Sequence, residues 1–199
     1  MSERTVVHAV VLGAFCTGFG ALLATTNMFT AKEISLRAVE DMENSLTQVI
    51  PPGIHDNNPA KDVVAVKNDE GKDVTIYRAT QAGKVTAVAY DIEGPGYGGP
   101  IHLMLAVDPE GKILGVRATA FKETPGLGDR IDPAKSDWIT RFRGLSLDNP
   151  LRDKWKVKKD GGVFDQFSGA TITPRGVVGA IRNGLDFFAT HKAEMLEAR

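Results

Sequence analysis

The chain has 199 residues, of which 42% are hydrophobic and 25% are charged, and its formal net charge at pH 7 is -1. This composition is typical of a globular protein with enough apolar residues for a core. The balanced charge, without a basic stripe, excludes nucleic acid as an expected partner. Cys16 is the only cysteine, which excludes an internal disulfide and a four-cysteine metal centre. Redox chemistry would therefore need an organic cofactor or another subunit.

An apolar segment without charges stands near the N-terminus. Asp, Glu, Lys and Arg are absent between residues 5 and 31, a stretch longer than the roughly 20 apolar residues that cross a bilayer. The segment predicts one transmembrane anchor over residues 1–31. A cleaved signal peptide is the alternative, but its apolar stretch is normally only about 7–15 residues long. Basic residues on both sides leave the orientation of the segment open.

A helical pattern follows the anchor and ends at Pro51, Pro52 and Gly53. Its apolar residues recur at roughly helical spacing, and they are Ile34, Leu36, Val39, Met42 and Leu46. We therefore expect a helical stalk over residues 32–53 and a folded domain over residues 54–199.

Five short segments of the expected domain are rich in β-branched residues and predict strands. They are residues 63–66, 74–77, 85–90, 101–107 and 113–121. The turn from Asp108 through Pro109 to Gly111 favours an antiparallel hairpin, because proline suits its first central position. We expect a short helix in "SDWITRF", with Ser136 as its cap, and a long amphipathic helix from Pro174 onward. The predicted fold class is α+β: a largely antiparallel sheet flanked by helices, preceded by one N-terminal transmembrane helix.

Two glycine-rich stretches lie between predicted strands or at their ends. In "EGPGYGGPI", Gly94, Gly96 and Gly99 stand in G-x-G-x-x-G register. A dinucleotide site needs a helix after that motif, but Pro100 and a strand pattern follow, so an irregular loop is the better interpretation. The second stretch, "KETPGLGDRIDP", is typical of a tight turn.

The stretch "SGATITPRG" favours an anion site at the start of the last helix. Thr173 and Pro174 read as the N-cap and the first helical residue. Unpaired amides and the positive end of the helix dipole would meet an anion there. The hydroxyls of Ser168, Thr171 and Thr173 can donate to phosphate oxygens, and Gly169 and Ala170 add little bulk. An ordinary capped helix remains the alternative. A serine hydrolase is disfavoured, because "FSGAT" lacks the G-x-S-x-G elbow.

The stretch "DQFSGAT", residues 165–171, resembles the flavinylation signature of FMN-binding domains in the RnfG and NqrC subunits of bacterial ion-translocating electron-transport complexes. "GYGGPI" and "ETPGLG" resemble further family landmarks in the expected order, and the length is closer to RnfG than to NqrC. The resemblance implies that Thr171 carries FMN through a phosphodiester made by a separate flavin transferase. Asp165 would then belong to the signature that this transferase recognises.

The same resemblance assigns the remaining cofactor-binding residues. The residues expected to flank the flavin ring are Glu123, Thr124, Gly126, Leu127 and Gly128, with Tyr97, Gly98, Gly99 and Pro100 nearby and with Ser168, Gly169, Ala170 and Thr173 around the attachment point. Trp138 and Trp155 can stack on a flavin, although a place in the core is the preferred expectation. No catalytic residue and no metal site is expected.

The implied function is electron transfer rather than independent catalysis. The resemblance implies a chain of carriers between ferredoxin and NAD, coupled to sodium or proton movement, with membrane and iron–sulfur subunits as partners. It also implies a single-pass protein of the bacterial inner membrane with its C-terminal domain on the periplasmic side. Three alternatives stay open: an NqrC-type subunit of a sodium-pumping quinone reductase, an anchored FMN protein outside these complexes, and a structural assembly subunit.

Overall fold

The computed structural model describes residues 3–68 and 70–197. These residues divide into two units, one ending at Met42 and the other beginning at Glu43. Helix α1 (Glu3–Val49) makes up the first unit and contributes its last turns to the second.

The apolar part of α1 forms the first unit. Within the described ranges, α1 is the one helix long and apolar enough to cross a membrane. The hydroxyls of Thr17 and Thr25 donate to the carbonyl oxygens of Gly13 and Ala21 at 2.8 and 2.7 Å, so these groups need no water partner in lipid. The predicted N-terminal apolar helix is therefore present as a candidate membrane span, and the same helix continues to Val49, within the predicted stalk. The boundaries at residues 31 and 53 stay predictions.

The second unit is built on a five-stranded sheet with the strands in chain order. Its strands are β1 (Val63–Lys67), β2 (Asp73–Gln81), β3 (Lys84–Pro95), β4 (Pro100–Val107) and β5 (Ile113–Ala120). All neighbours pair antiparallel, which confirms the predicted sheet. The predicted hairpin between β4 and β5 is also present: the amide of Gly111 donates to the carbonyl oxygen of Asp108 at 3.0 Å.

Helix α2 (Ile172–Leu196) packs on one face of the sheet. The residues predicted to face the sheet are all buried, namely Val177, Val178, Ile181, Leu185 and Phe188. The hydroxyl of Tyr90 donates to the carbonyl oxygen of Gly184 at 2.8 Å. A Cβ on Gly184 would lie 2.9 Å from Leu105, so glycine lets the helix approach the strands closely.

The end of α1 covers the other face of the sheet. Gly115, Ala106 and Ala89 are register partners on β5, β4 and β3, so these small residues form one row across that face. A Cβ on Gly115 would come within 2.8 Å of the Val49 backbone. Leu46, Val49 and Ile50 are accordingly buried in the second unit.

Short 3₁₀ helices and loops connect β5 to α2 around an aromatic cluster. The rings of Trp138, Phe142, Trp155, Phe164 and Phe167 form successive pairs with centroids 4.9 to 6.2 Å apart. Both tryptophans are buried, which confirms their preferred place in the core. The predicted helix in "SDWITRF" is a 3₁₀ helix, Trp138–Phe142, capped by Asp137 rather than Ser136. The Ser136 hydroxyl still accepts from the Trp138 amide at 3.2 Å, one residue ahead of the cap.

Candidate functional site

Three separate stretches of the second unit meet at the side chain of Glu123. This side chain is 8% exposed. Its Oε1 accepts from the amides of Tyr97 and Gly98, at 2.9 and 3.3 Å, in the loop between β3 and β4. Its Oε2 accepts from the hydroxyl of Thr173, in the first turn of α2. A loop, a turn and a helix start are thereby held around one carboxyl group.

Two glycines allow this close approach. A Cβ on Gly98 would overlap the carbonyl oxygen of Lys122. A Cβ on Gly128 would lie 2.5 Å from Oε2 of Glu123 and 2.6 Å from the Thr173 hydroxyl. Larger residues at either position would force the three stretches apart.

The turn after Glu123 has its own internal support. The amide of Leu127 donates to the carbonyl oxygen of Thr124 at 3.1 Å, and Gly126 takes a φ of 79°, which favours glycine. The Gly126 amide donates to Oδ1 of Asp129 at 2.8 Å, and Oδ2 of Asp129 pairs with Lys135. Lys135 is the main cause of a pKa of Asp129 below its usual value. Sequence reasoning missed Asp129, although an acidic residue directly after "TPGLG" is a signal that such a turn needs an acceptor.

The "SGAT" loop lies beside that turn. Phe167 packs edge-on against Trp138 at 5.1 Å and under the Arg130 guanidinium at 5.2 Å. The Ala170 amide donates to the Phe167 carbonyl oxygen at 3.1 Å. A Cβ on Gly169, whose φ is 79°, would contact the side chain of Leu127 at 3.7 Å. Leu127 is 42% exposed, so its apolar side chain borders open space next to the loop.

The start of α2 differs from the sequence prediction. The helix begins at Ile172, and Thr171 is its N-cap without a side-chain capping bond. The assignment of Thr173 as N-cap is therefore wrong: Thr173 is fully buried and donates to Glu123 instead. Pro174 is the third helical residue, where the missing N–H still costs no helical hydrogen bond.

This start leaves polar groups unpaired around Thr171. In the described part of the chain, the Thr171 hydroxyl has no hydrogen-bond partner. The amides of Ile172 and Thr173 precede the first intrahelical bond of α2, and no acceptor outside the helix pairs with them among the described residues. Thr171 is half-buried. These groups are suited to an anion bonded to or held near the Thr171 oxygen.

The other predicted residues fall in two places. Tyr97, 72% exposed, and the exposed Thr124 and Ser168 border the same region, while Pro100 closes the β3–β4 loop opposite Pro95. The Asp165 side chain is engaged elsewhere, with Lys158 at 2.6 Å and Arg141 at 3.7 Å. These cations, Lys158 foremost, hold the pKa of Asp165 below its usual value. Among the described residues, His, Cys, Asp and Glu form no group of three or more that could hold a metal ion.

Comparison with known proteins places this geometry in a family. The FMN-binding domain family matches residues 96–186, a range that contains all three stretches around Glu123. The chain is 47% identical over 190 residues to the G subunit of the ion-translocating oxidoreductase complex of Cereibacter sphaeroides, covering 96% of this chain and 87% of the relative. The protein of the same name from Stutzerimonas stutzeri is 45% identical over 187 residues, covering 94% and 82%.

Two crystal structures share the fold. The C subunit of the Na(+)-translocating NADH-quinone reductase of Parabacteroides distasonis aligns with a TM-score of 0.58 and 21% identity, covering 78% of this chain and 92% of the other. NqrC of Shewanella oneidensis aligns with a TM-score of 0.50 and 25% identity, covering 76% and 73%. The prediction of RnfG rather than NqrC is confirmed by the identities to the full-length relatives. The chain therefore belongs to the RnfG family, the G subunits of ion-translocating oxidoreductase complexes, and contains an FMN-binding domain.

Proposed function

We propose that this subunit is an electron carrier that holds one FMN covalently, through a phosphodiester on Thr171. The observation that carries the proposal is the unpaired hydroxyl of Thr171 beside the free first amides of α2. An ordinary cap residue would use its oxygen on those amides. Here the oxygen stays available for a bond to phosphorus.

The residues around Thr171 fit a flavin phosphate and ring. The amides of Ile172 and Thr173 and the positive end of the helix dipole favour the charge that a phosphodiester retains. The exposed apolar side chains of Leu127 and Tyr97 offer surfaces for an aromatic ring. We expect backbone groups of the 123–128 turn to meet the polar edge of such a ring.

Attachment requires an activated FMN and a second enzyme. Oγ1 of Thr171 would displace the leaving group from the phosphorus of an FMN phosphoanhydride: the new O–P bond would form as the anhydride O–P bond breaks, and the hydroxyl proton would pass to a base of the transferase. Asp165 and its ion pairs lie on the surface a few residues before Thr171, so we assign them to transferase recognition. The bound FMN would supply the electron-transfer chemistry, and the protein would orient and shield it.

A covalent bond to the flavin suits a domain from which a free cofactor would be lost by dilution. Because a noncovalent ligand is retained only in proportion to its concentration, a covalent bond keeps the flavin on a domain that faces the periplasm. We place the second unit on that side, with α1 as the single membrane anchor. Electrons then pass between membrane and iron–sulfur subunits of the complex, on a path between ferredoxin and NAD that is coupled to sodium or proton movement.

Intact mass of the full chain, produced together with the flavin transferase, tests the proposal. The unaltered chain should gain FMN minus water, on the order of 440 Da, and peptide mapping should locate the gain at Thr171. Thr171→Ala should lose it while unfolding within roughly 1 kcal/mol of the unaltered chain. Thr140→Ala is the matched control, because Thr140 is an exposed threonine whose hydroxyl bonds only locally, to Asp137 at 2.7 Å. A flavin increment on Thr171→Ala would refute the assignment.

A further inference from the structure

Glu123 is a buried acid satisfied by hydrogen bonds alone. No cation lies within ion-pairing distance of it in residues 3–68 and 70–197. A buried carboxylate without a cation is costly unless donors replace its water. Three donors do so here, two amides of one loop and the hydroxyl of Thr173.

These donors come from two parts of the chain that are distant in sequence, the β3–β4 loop and the first turn of α2. Tyr97 and Gly98 lie in the loop between β3 and β4, which has one further internal bond, from Gly96 to Gly99 at 2.9 Å. Thr173 lies two residues after Thr171 in the first turn of α2. The carboxyl group is thus a direct polar link between the β3–β4 loop and the helix turn that follows Thr171.

We infer that Glu123 is a positioning residue: through Thr173 it fixes the β3–β4 loop and the 123–128 turn relative to Thr171, and so sets how the flavin ring is held. The link itself is a property of the folded chain, whereas its effect on the ring rests on the proposed function. Loss of the link leaves Thr171 and the amides of Ile172 and Thr173 in place. Attachment then persists while the ring loses its fixed surroundings.

Hydrogen exchange at the amides of Tyr97 and Gly98 tests the link without flavin. The experiment uses the full-length chain in detergent with Thr171→Ala, so that no cofactor is attached. Glu123→Gln should speed exchange at both amides about tenfold, because the glutamine side chain has one acceptor oxygen where the carboxyl group has two, so it cannot accept from both the loop amides and Thr173. Thr173→Val should act in the same direction, since the carboxyl group loses its anchor on α2, and Thr173→Ser should restore slow exchange. The double variant should exchange no faster than Glu123→Gln alone, because both changes break one link.

Matched control variants and a reference amide distinguish loss of the Glu123 link from a general loss of stability, which would speed exchange throughout the unit. Glu93→Gln changes an exposed glutamate on β3, and Thr190→Val removes an exposed threonine hydroxyl that bonds within α2. Neither variant should alter the exchange rates of the Tyr97 and Gly98 amides. The amide of Leu105 in β4 should stay slow in every variant. Equal acceleration at Leu105, additive effects in the double variant, or unchanged exchange in Thr173→Val would each overturn the inference.

The flavin-loaded chain gives the second measurement. Glu123→Gln and Thr173→Val should keep the mass increment but lower the flavin fluorescence anisotropy and weaken its visible circular dichroism. Unaltered anisotropy in both variants would overturn the effect on the ring. Absence of the increment from the chain with native Thr171 would instead count against the proposed attachment and leave the exchange result standing.

Discussion

The last turns of α1 should be part of the folded second unit rather than a separable stalk, and two leucines on this helix test that. Leu46 is 3% exposed and Leu36, ten residues earlier, is 50% exposed. Replacing a buried leucine by alanine removes apolar contacts and leaves a cavity, which costs about 2–5 kcal/mol. That is a large share of the roughly 5–15 kcal/mol that stabilises a typical domain. Leu36→Ala should change the free energy of unfolding of the second unit by less than about 0.5 kcal/mol.

Urea unfolding of the full chain in detergent measures the difference. Both tryptophans of the chain, Trp138 and Trp155, lie in the core of the second unit, so their fluorescence reports that unit alone. With a urea dependence of about 2 kcal/mol/M, the middle of the usual range, a loss of about 2–5 kcal/mol in Leu46→Ala should lower the midpoint by about 1–2.5 M. If the two variants unfold at the same urea concentration, α1 does not stabilise the sheet, and the domain begins at residue 54 as the sequence predicts.

Two further predictions concern the turn after Glu123 and the contact between α2 and the end of β3. Lys135 lowers the pKa of Asp129 in the folded state below its ordinary value of 3.8. The pair therefore stabilises the turn at pH values above 3.8, and this contribution is lost as the pH falls through the lower pKa of the folded state. Urea midpoints should therefore fall on acidification less steeply in Asp129→Asn than in the unaltered chain; equal slopes would exclude the pair as a cause. Gly176→Ala should cost about 1–3 kcal/mol, because its Cβ would overlap the Pro95 carbonyl oxygen. Gly179→Ala, with no atom within 4 Å of its Cβ, should be neutral or stabilise by up to about 1 kcal/mol.

Local patterns predict the sheet well because each strand carries its own signal. β-branched residues and turn residues repeat along residues 63–121, and the antiparallel order follows from short connections. The same patterns do not reveal what covers each face. Ala89, Ala106 and Gly115 are residue types that favour strands only weakly. Their small size is nevertheless what lets the end of α1 approach the sheet.

The site is only partly accessible to sequence reasoning, because its geometry depends on contacts between distant residues. The resemblance groups the three stretches that meet at Glu123, but it makes Glu123 a neighbour of the ring rather than a buried link. The partner of Thr173 lies 50 residues away, so no local pattern distinguishes a capping threonine from one that bonds across the fold. Asp129 is a different case, because its partners Gly126 and Lys135 lie only three and six residues away, and the acidic residue after "TPGLG" is a local signal for it.

The finding that Thr173 is not the N-cap supports the proposal that Thr171 is the attachment residue. The backbone of Thr171 is already helical, with φ of -67° and ψ of -25°, so successive side chains from this residue rotate by about 100° around the axis. Thr171 and Thr173 therefore point about 200° apart and cannot both face the core or both face outward. Because the Thr173 hydroxyl donates to the buried Glu123, the Thr171 hydroxyl is directed to the other side of the helix, as the proposed attachment requires. Had Thr173 capped the helix at the surface, Thr171 would have preceded the helix and its direction would not have been fixed.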